Sequence, residues 1–173
     1  MKPTPPHHFA AIDKTALARV PKAFHHWIAD QSSLTQRLIS LSQHQFKVRL
    51  INQGLQPMQV QECLALGERI GAMASIREVE LLCEGLPCVY ARSVIPVRSL
   101  KGKQRRLACL GEQPLGAFLF ADPFLKRNKV DVLPLDEQRK AWGRRSLFNV
   151  GGYPLFVSEF FLPALIDYEK RNT

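Results

Sequence analysis

Two side chains in this chain stand out as able to do chemistry, one acid and one cation. Glu159 lies in the run Tyr153-Pro154-Leu155-Phe156-Val157-Ser158-Glu159-Phe160-Phe161-Leu162, which is otherwise apolar on both strand faces apart from Ser158. A carboxylate in such a run is costly to bury unless it is paired, or protonated with a raised pKa. Arg77 stands near the start of Ile76-Arg77-Glu78-Val79-Glu80-Leu81-Leu82-Cys83, an alternating strand pattern. A guanidinium there offers a planar fork matched to a carboxylate. Each has a plainer reading: Glu159 as an ion-pair partner, Arg77 as an edge-strand residue bonded to Glu78 or Glu80. Together they suggest a pocket with a cation at one end and an acid at the other. Leu115-Gly116 follows Pro114 at the start of a short helix, where unsatisfied backbone N–H groups can donate to an anion. Ordinary turn chemistry is the alternative for that segment.

Other chemistries lack their residues. The sequence has no G-x-x-x-x-G-K-[ST], no G-x-G-x-x-G and no nucleophile elbow, so nucleotide and serine-hydrolase readings have no support. Cys63, Cys83, Cys88 and Cys109 include no C-x-x-C pair and are expected as small buried hydrophobes, neither zinc ligands nor disulfides. His7-His8 and His25-His26 are adjacent, which points their rings apart on a helix or a strand, so neither pair makes a ready chelate. No metal or cofactor is expected. The net charge of +9 is concentrated in Arg98–Arg106, in Lys126, Arg127 and Lys129, and in Arg139, Lys140, Arg144 and Arg145. Such a field attracts anions of any kind. The plain reading is a solvated basic surface, and the runs lack the interleaved aromatics or recognition helix of a nucleic-acid binder.

The elements that must position these groups fit one α+β domain over residues 1–173, with residues 1–20 as a loosely ordered lead-in. At 173 residues and 46% apolar composition the chain can bury a real core. No apolar stretch is long enough to span a bilayer, and Met1 to His8 lacks the apolar segment of a secretory signal, which places the protein in the cytoplasm. Helices are expected from about Pro21 to Ala29, from Leu34 to about Ser42 after the capping run Asp30-Gln31-Ser32-Ser33, over Val60–Leu66, and from Pro114 to Phe120. Strands are expected over Phe46–Ile51, Ile76–Cys83 and Cys88–Val97, and near Lys129–Val132. Ser99 to Leu110 reads as a helix or a loop. A hairpin from about Arg144 to Leu162 turns at Gly151-Gly152. Hairpins and helices in separate blocks indicate an antiparallel sheet with no βαβ units.

The blocks in this order resemble the chorismate pyruvate-lyase family. The resemblance rests on Trp27 with Asp30-Gln31-Ser32-Ser33-Leu34-Thr35-Gln36-Arg37-Leu38, on Arg77-Glu78-Val79-Glu80-Leu81-Leu82 and on Ala91-Arg92-Ser93-Val94-Ile95-Pro96. It continues through Leu110-Gly111-Glu112-Gln113-Pro114-Leu115-Gly116 with Leu119-Phe120, then Trp142-Gly143-Arg144-Arg145-Ser146 and Glu159-Phe160-Phe161-Leu162-Pro163. It implies a monomeric α+β fold with one antiparallel sheet and helical flaps over a buried aromatic-acid pocket. It further implies that Arg77, Glu159, a backbone contact at Leu115 and the flap residue Leu34 hold the product, 4-hydroxybenzoate. Arg77 and Glu159 would be the catalytic pair.

The reaction so implied is an elimination from chorismate that releases pyruvate and makes the ring aromatic, the first committed step of ubiquinone biosynthesis. Arg77 would grip the ring carboxylate, and a partly desolvated Glu159 with a raised pKa would move the proton. A second cation should meet the enolpyruvyl carboxylate; Arg92, Arg144 and Arg145 are candidates, and on a strand at most one of Arg144 and Arg145 faces the pocket. The main rival is a ligand-sensing domain like the effector-binding domains of bacterial transcription regulators. Those follow a winged-helix segment, for which the roughly thirty residues ahead of the fold leave too little chain. A nucleic-acid-binding protein using the +9 charge is the second rival.

Overall fold

The computed structural model describes residues 8–9, 12–135, 137–138 and 140–172. One seven-stranded sheet runs β1-β5-β6-β7-β4-β3-β2 in space. Its strands are β1 (His8–Phe9), β2 (Phe46–Pro57), β3 (Met73–Cys83), β4 (Leu86–Pro96), β5 (Lys126–Pro134), β6 (Trp142–Val150) and β7 (Tyr153–Phe161). Every pairing is antiparallel except the two-residue β1, which lies parallel to β5 at Lys126 and Arg127. The helices are α1 (Lys14–Leu17), α2 (Lys22–Ile28), α3 (Leu34–Leu41), α4 (Val60–Leu66), α5 (Leu115–Phe120) and α6 (Pro163–Asn172). None of them is long and apolar enough to cross a membrane.

Part of the expected loose lead-in is folded. Residues 1–7, 10 and 11 lie outside the described residues, but Asp13 caps α1 through Thr15 N at 2.9 Å and Val20 is buried in the core. The segment Gly102–Cys109, expected as helix or loop, is a 3-10 helix closed over Leu107, which is fully buried. Strand β2 continues past the expected Ile51 to Pro57 because β3 pairs with it along its whole length, with a bulge between Leu50 and Asn52. Helix α6 was not anticipated. Its Leu165, Ile166 and Tyr168 pack with Trp27, Ile28 and Val89, and its Glu169 accepts hydrogen bonds from His26 Nε2 and Trp27 Nε1. Cys63, Cys83 and Cys88 are buried thiols as expected, whereas Cys109 is exposed at the end of the 3-10 segment.

The register decides what shares a face. Reading across the sheet, Val132, Arg144, Glu159, Ala91, Val79 and Leu50 form one row. Side chains alternate, so the neighbouring row projects from the opposite face: Asp131, Arg145, Ser158, Arg92, Glu78 and Asn52. On the first face α2, α3, α5 and α6 cover the apolar core; on the second, α4 packs against Ala74, Ile76, Val94 and Phe156. Gly143 lets β6 and β7 come together. A Cβ there would sit against the Glu159 carbonyl oxygen and the Phe160 ring closer than any real side chain does. That approach sets Arg144 directly opposite Glu159.

Candidate active site

A cavity lies between the first sheet face and the helices α3 and α5. Its floor is Val79 and Leu81 of β3, Ala91 and Ser93 of β4, Val157 and Glu159 of β7, and Phe148 of β6; its roof is Ser32, Leu34, Thr35, Leu115, Gly116, Leu119 and Phe120. Arg77, Arg127 and Arg144 enter from the sheet. Arg77 and Glu159, Leu34 and Leu115, the four residues expected at the site, therefore line one chamber. Most of the lining is apolar, with a few convergent charges, the usual build of a small-ligand site.

Arg77 is not the edge-strand residue of the plain reading. It sits on an interior strand, 3% exposed, and is not bonded to Glu78 or Glu80. Its Nε donates to Gly111 O at 3.0 Å and its Nη2 to Gln113 O at 2.7 Å, which ties it to the turn that launches α5. Burial holds its pKa below the usual arginine value. Helix α5 begins at Leu115 behind Pro114, which supplies no side-chain cap, so its first amides are not satisfied by one.

Glu159 meets the cost of burial by pairing. Arg144 Nε donates to its Oε2 at 2.7 Å, and Arg144 itself is 1% exposed. Arg144 Nη1 donates to the carbonyls of Trp27 (3.3 Å), Ile28 (3.1 Å) and Asp30, the last turn of α2 and the residues just after it. A cation there also complements the helix dipole. Arg144 thus connects the acid to the segment that leads into α3. That segment is further held by Arg37, which donates to His26 O and Asp30 Oδ2 and lies 3.5 Å from the centre of the Trp27 ring. Ser33 caps α3 through Gln36 N, which sets Leu34 at the helix start facing the cavity.

The two flaps touch at Gly116. A Cβ at that position would stand 2.8 Å from Thr35 Oγ1 and 3.4 Å from Ser33 Oγ, so only glycine lets α5 close against α3 without a shift.

Of the three expected second cations, Arg144 is in the cavity and the other two are not. Arg145 projects from the opposite face. Arg92 does too, where its Nε and Nη2 bind Glu62 at 2.7 and 3.1 Å and its Nη1 binds Glu78 at 3.1 Å. Arg127 is the cation that sequence reasoning missed. Its neighbours Lys126 and Lys129 make it look solvated, yet it is 2% exposed, opposite Phe148 in the sheet and 4.8 Å from the centre of that ring. Burial pushes its pKa down to about 10, with the Arg144 charge adding to the shift. The Arg144–Glu159 pair did leave a signal. A two-residue turn at Gly151-Gly152 places Val150 opposite Tyr153, and counting back along both strands brings Arg144 opposite Glu159.

The sequence model of the chorismate lyase family matches residues 10–171. A protein of Methylococcus capsulatus named "Probable chorismate pyruvate-lyase" is 40% identical over 154 residues, covering 82% of this chain and 95% of the relative. Proteins of the same name from Pseudomonas putida and Aromatoleum aromaticum are 42% and 35% identical, covering 84% and 94% of this chain and 83% and 96% of theirs. Among solved structures, the effector domain of PhnF from Mycobacterium smegmatis superposes with a TM-score of 0.53 at 12% identity, over 78% of this chain and 91% of that one. That likeness speaks to architecture alone: an α+β fold built on an open antiparallel sheet. The match along nearly the whole sequence goes further, and on it the chain belongs to the chorismate lyase family.

Proposed function

We propose that this protein converts chorismate to 4-hydroxybenzoate and pyruvate as a single-domain, cytoplasmic monomer, the committed step toward ubiquinone. The observation that carries the reading is the cavity of a chorismate lyase family member with Arg77 on one wall, Glu159 on its floor and a roof of two small helices. Arg77 takes the ring carboxylate through its fork, held from behind by the Gly111 and Gln113 carbonyls. The first amides of α5 at Leu115 add backbone donors, and Leu34, Val79, Val157 and Phe148 enclose the ring.

In the elimination the ether C–O bond breaks, its electron pair leaving on the enolpyruvyl oxygen. A proton leaves the neighbouring ring carbon and its electron pair completes the aromatic ring. The enolate then takes a proton on carbon and becomes pyruvate. Aromatisation supplies the driving force, so the reaction calls for no metal or cofactor. Glu159 is the acid in the cavity, oriented by its bond to Arg144, and receives the ring proton. The roof must open to release an aromatic acid taken out of water, and such opening often limits turnover.

Mixing the protein with chorismate under pre-steady-state conditions tests the reading. The expected trace is a burst of 4-hydroxybenzoate near one equivalent of enzyme and then a slower steady rate, unchanged after exhaustive EDTA treatment. Absence of 4-hydroxybenzoate refutes the reading. A linear course without a burst moves the slow step back to the elimination.

A further inference from the structure

One end of the sheet gathers exposed apolar side chains. Here β2, β4 and β6 finish and β3, β5 and β7 begin: Met73 stands opposite Pro57, Ala74 opposite Pro96, Lys126 opposite Asn149 and Val150 opposite Tyr153. Ile70, Met73, Val97 and Phe124 are exposed at this end, from 42% at Met73 to 71% at Phe124. Their backbones are held in place. Val97 opens a single 3-10 turn, Val97–Ser99, whose Ser99 Oγ donates to Pro154 O at 2.8 Å. Phe124 N donates to Asp122 Oδ1 at 2.9 Å, and Gly151 N donates to Asp122 Oδ2 at 3.1 Å. Ile70 lies between α4 and β3, in a turn closed by Met58 N donating to Ala72 O at 2.9 Å. From β3 to β5 the face spans four strand spacings, about 19 Å.

Basic side chains stand among the apolar ones. Arg69, Lys101, Lys103 and Lys126 are exposed, and no acid occurs in the chain from Gly85 to Gly111. Gln104 Nε2 donates to Val150 O at 3.3 Å, which keeps the two lysines beside it at this end. The nearby acids are engaged: Glu68 pairs with Arg98, and Asp122 takes the amides of Phe124 and Gly151. A basic face attracts any polyanion, so the apolar groups decide between partners. Against a nucleic acid they would stay in water. At an anionic lipid surface the lysines meet the headgroups, while Phe124, Val97, Ile70 and Met73 enter the boundary with the acyl chains and leave water. We propose that this sheet end docks the protein reversibly on an anionic membrane surface, without spanning it. None of these side chains lines the cavity, so docking is independent of the lyase reading. The roof helix α5 ends at Phe120, and the chain runs from there through Asp122 to Phe124, which puts the roof beside the docking face.

Co-sedimentation with lipid vesicles tests the proposal. The protein should bind vesicles of equimolar phosphatidylcholine and phosphatidylglycerol, ignore phosphatidylcholine alone, and bind more weakly as salt rises. Lys101→Gln with Lys103→Gln should lower the partition constant about 30-fold, the effect of removing two charges from an anionic surface. Val97→Ser with Phe124→Ser keeps every charge and should lower it by about 10-fold or more, through lost apolar burial. All four positions are exposed, so each pair should keep the wild-type unfolding midpoint, which checks that both variants are folded. A single-stranded RNA is the competing polyanion. Failure of the wild-type protein to sediment with the anionic vesicles overturns the proposal. So does vesicle binding that the serine pair leaves unchanged, or RNA binding at the same salt as strong as vesicle binding, either of which makes the face a general polyanion surface.

Discussion

Replacing Gly116 with alanine tests whether the roof closes by direct contact of its two helices. The added Cβ would lie 2.8 Å from Thr35 Oγ1, about 0.6 Å inside the ordinary contact limit of 3.4 Å. Thr35 is buried and β-branched, so its hydroxyl cannot swing aside freely. Overpacking of this kind costs about 1–3 kcal/mol. The strain is relieved when α5 draws away from α3, so it falls on the closed roof and spares the sheet. On that basis Gly116→Ala should raise the dissociation constant of 4-hydroxybenzoate by about 5- to 150-fold and speed its dissociation. The steady rate with chorismate should hold or rise, because release is the slow step in the proposed cycle. Titration calorimetry and stopped-flow displacement would measure both quantities. A second change, Thr35→Ala, removes the clashing oxygen. In the double variant the affinity should return to that of Thr35→Ala alone, giving a coupling energy comparable to the first loss. A folded Gly116→Ala protein with unchanged affinity and release would refute the reasoning, as would a loss that Thr35→Ala does not rescue.

Three other outcomes follow from the site and its surroundings. Glu159→Gln should fold, keep its contact with Arg144 as a neutral acceptor and lose most lyase activity; near-normal turnover would remove Glu159 from the chemistry. Arg77→Ala should weaken 4-hydroxybenzoate binding by about 2–5 kcal/mol and also lower the unfolding midpoint, since the Gly111 and Gln113 carbonyls lose their donors; Arg77→Lys should recover only part of the affinity, and an unchanged dissociation constant would place Arg77 outside the ligand contacts. Burial would raise the Glu78 carboxyl, but hydrogen bonds from Tyr90, Asn52 and Arg92, with the Arg92 charge, bring it below its ordinary value. Its contribution to stability is therefore present above the unfolded carboxylate pKa of about 4.5 and is lost as pH falls through the lower folded value. Denaturant unfolding of Glu78→Gln should accordingly show a stability deficit at pH 7 that shrinks toward pH 3; a gap of equal size at both would contradict it.

The sequence made the sheet legible wherever the signal was local. The hairpin turning at Gly151-Gly152, the alternation from Ile76 to Cys83 and the helix Val60–Leu66 all depend on residues near one another, and they formed where the pattern put them. The four expected site residues share one cavity; Arg77 and Glu159 stood out as charges within apolar strand patterns, whereas the site roles of Leu34 and Leu115 came from the resemblance to the family. What was hidden depends on pairing between distant strands. Arg92 was one of three open candidates; its chain neighbours Ala91 and Ser93 line the cavity, and only the register with Glu78 and Ser158 puts Arg92 itself on the far face. Arg127 was hidden in the opposite sense. A cation between lysines reads as solvated until β5 is laid against β6 and the residue falls opposite Phe148. Helix α6 carried too mixed a run of charges and apolar residues to separate it from a polar tail, although Leu165, Ile166 and Tyr168 anchor it in the core.

The place of β7 in the sheet has a consequence for how the molecule comes to exist. It is the last strand in the chain and yet lies in the interior, between β6 and β4. Before it arrives, β2, β3 and β4 can form one meander and β5 and β6 a separate hairpin, with no strand pairing between the two. Insertion of β7 is the long-range step, the kind that folds slowly because distant segments must meet before any contact rewards them. During that wait β4 and β6 each present an open edge able to recruit another chain. Arg77 belongs to the first piece, Arg144 and Arg127 to the second, and Glu159 to the strand that joins them. Fold and cavity are therefore completed in a single event. A nascent chain that has not yet reached Tyr153 has neither, and synthesis of the enzyme cannot pass through a partly assembled cavity that grips an aromatic acid without the acid group to act on it.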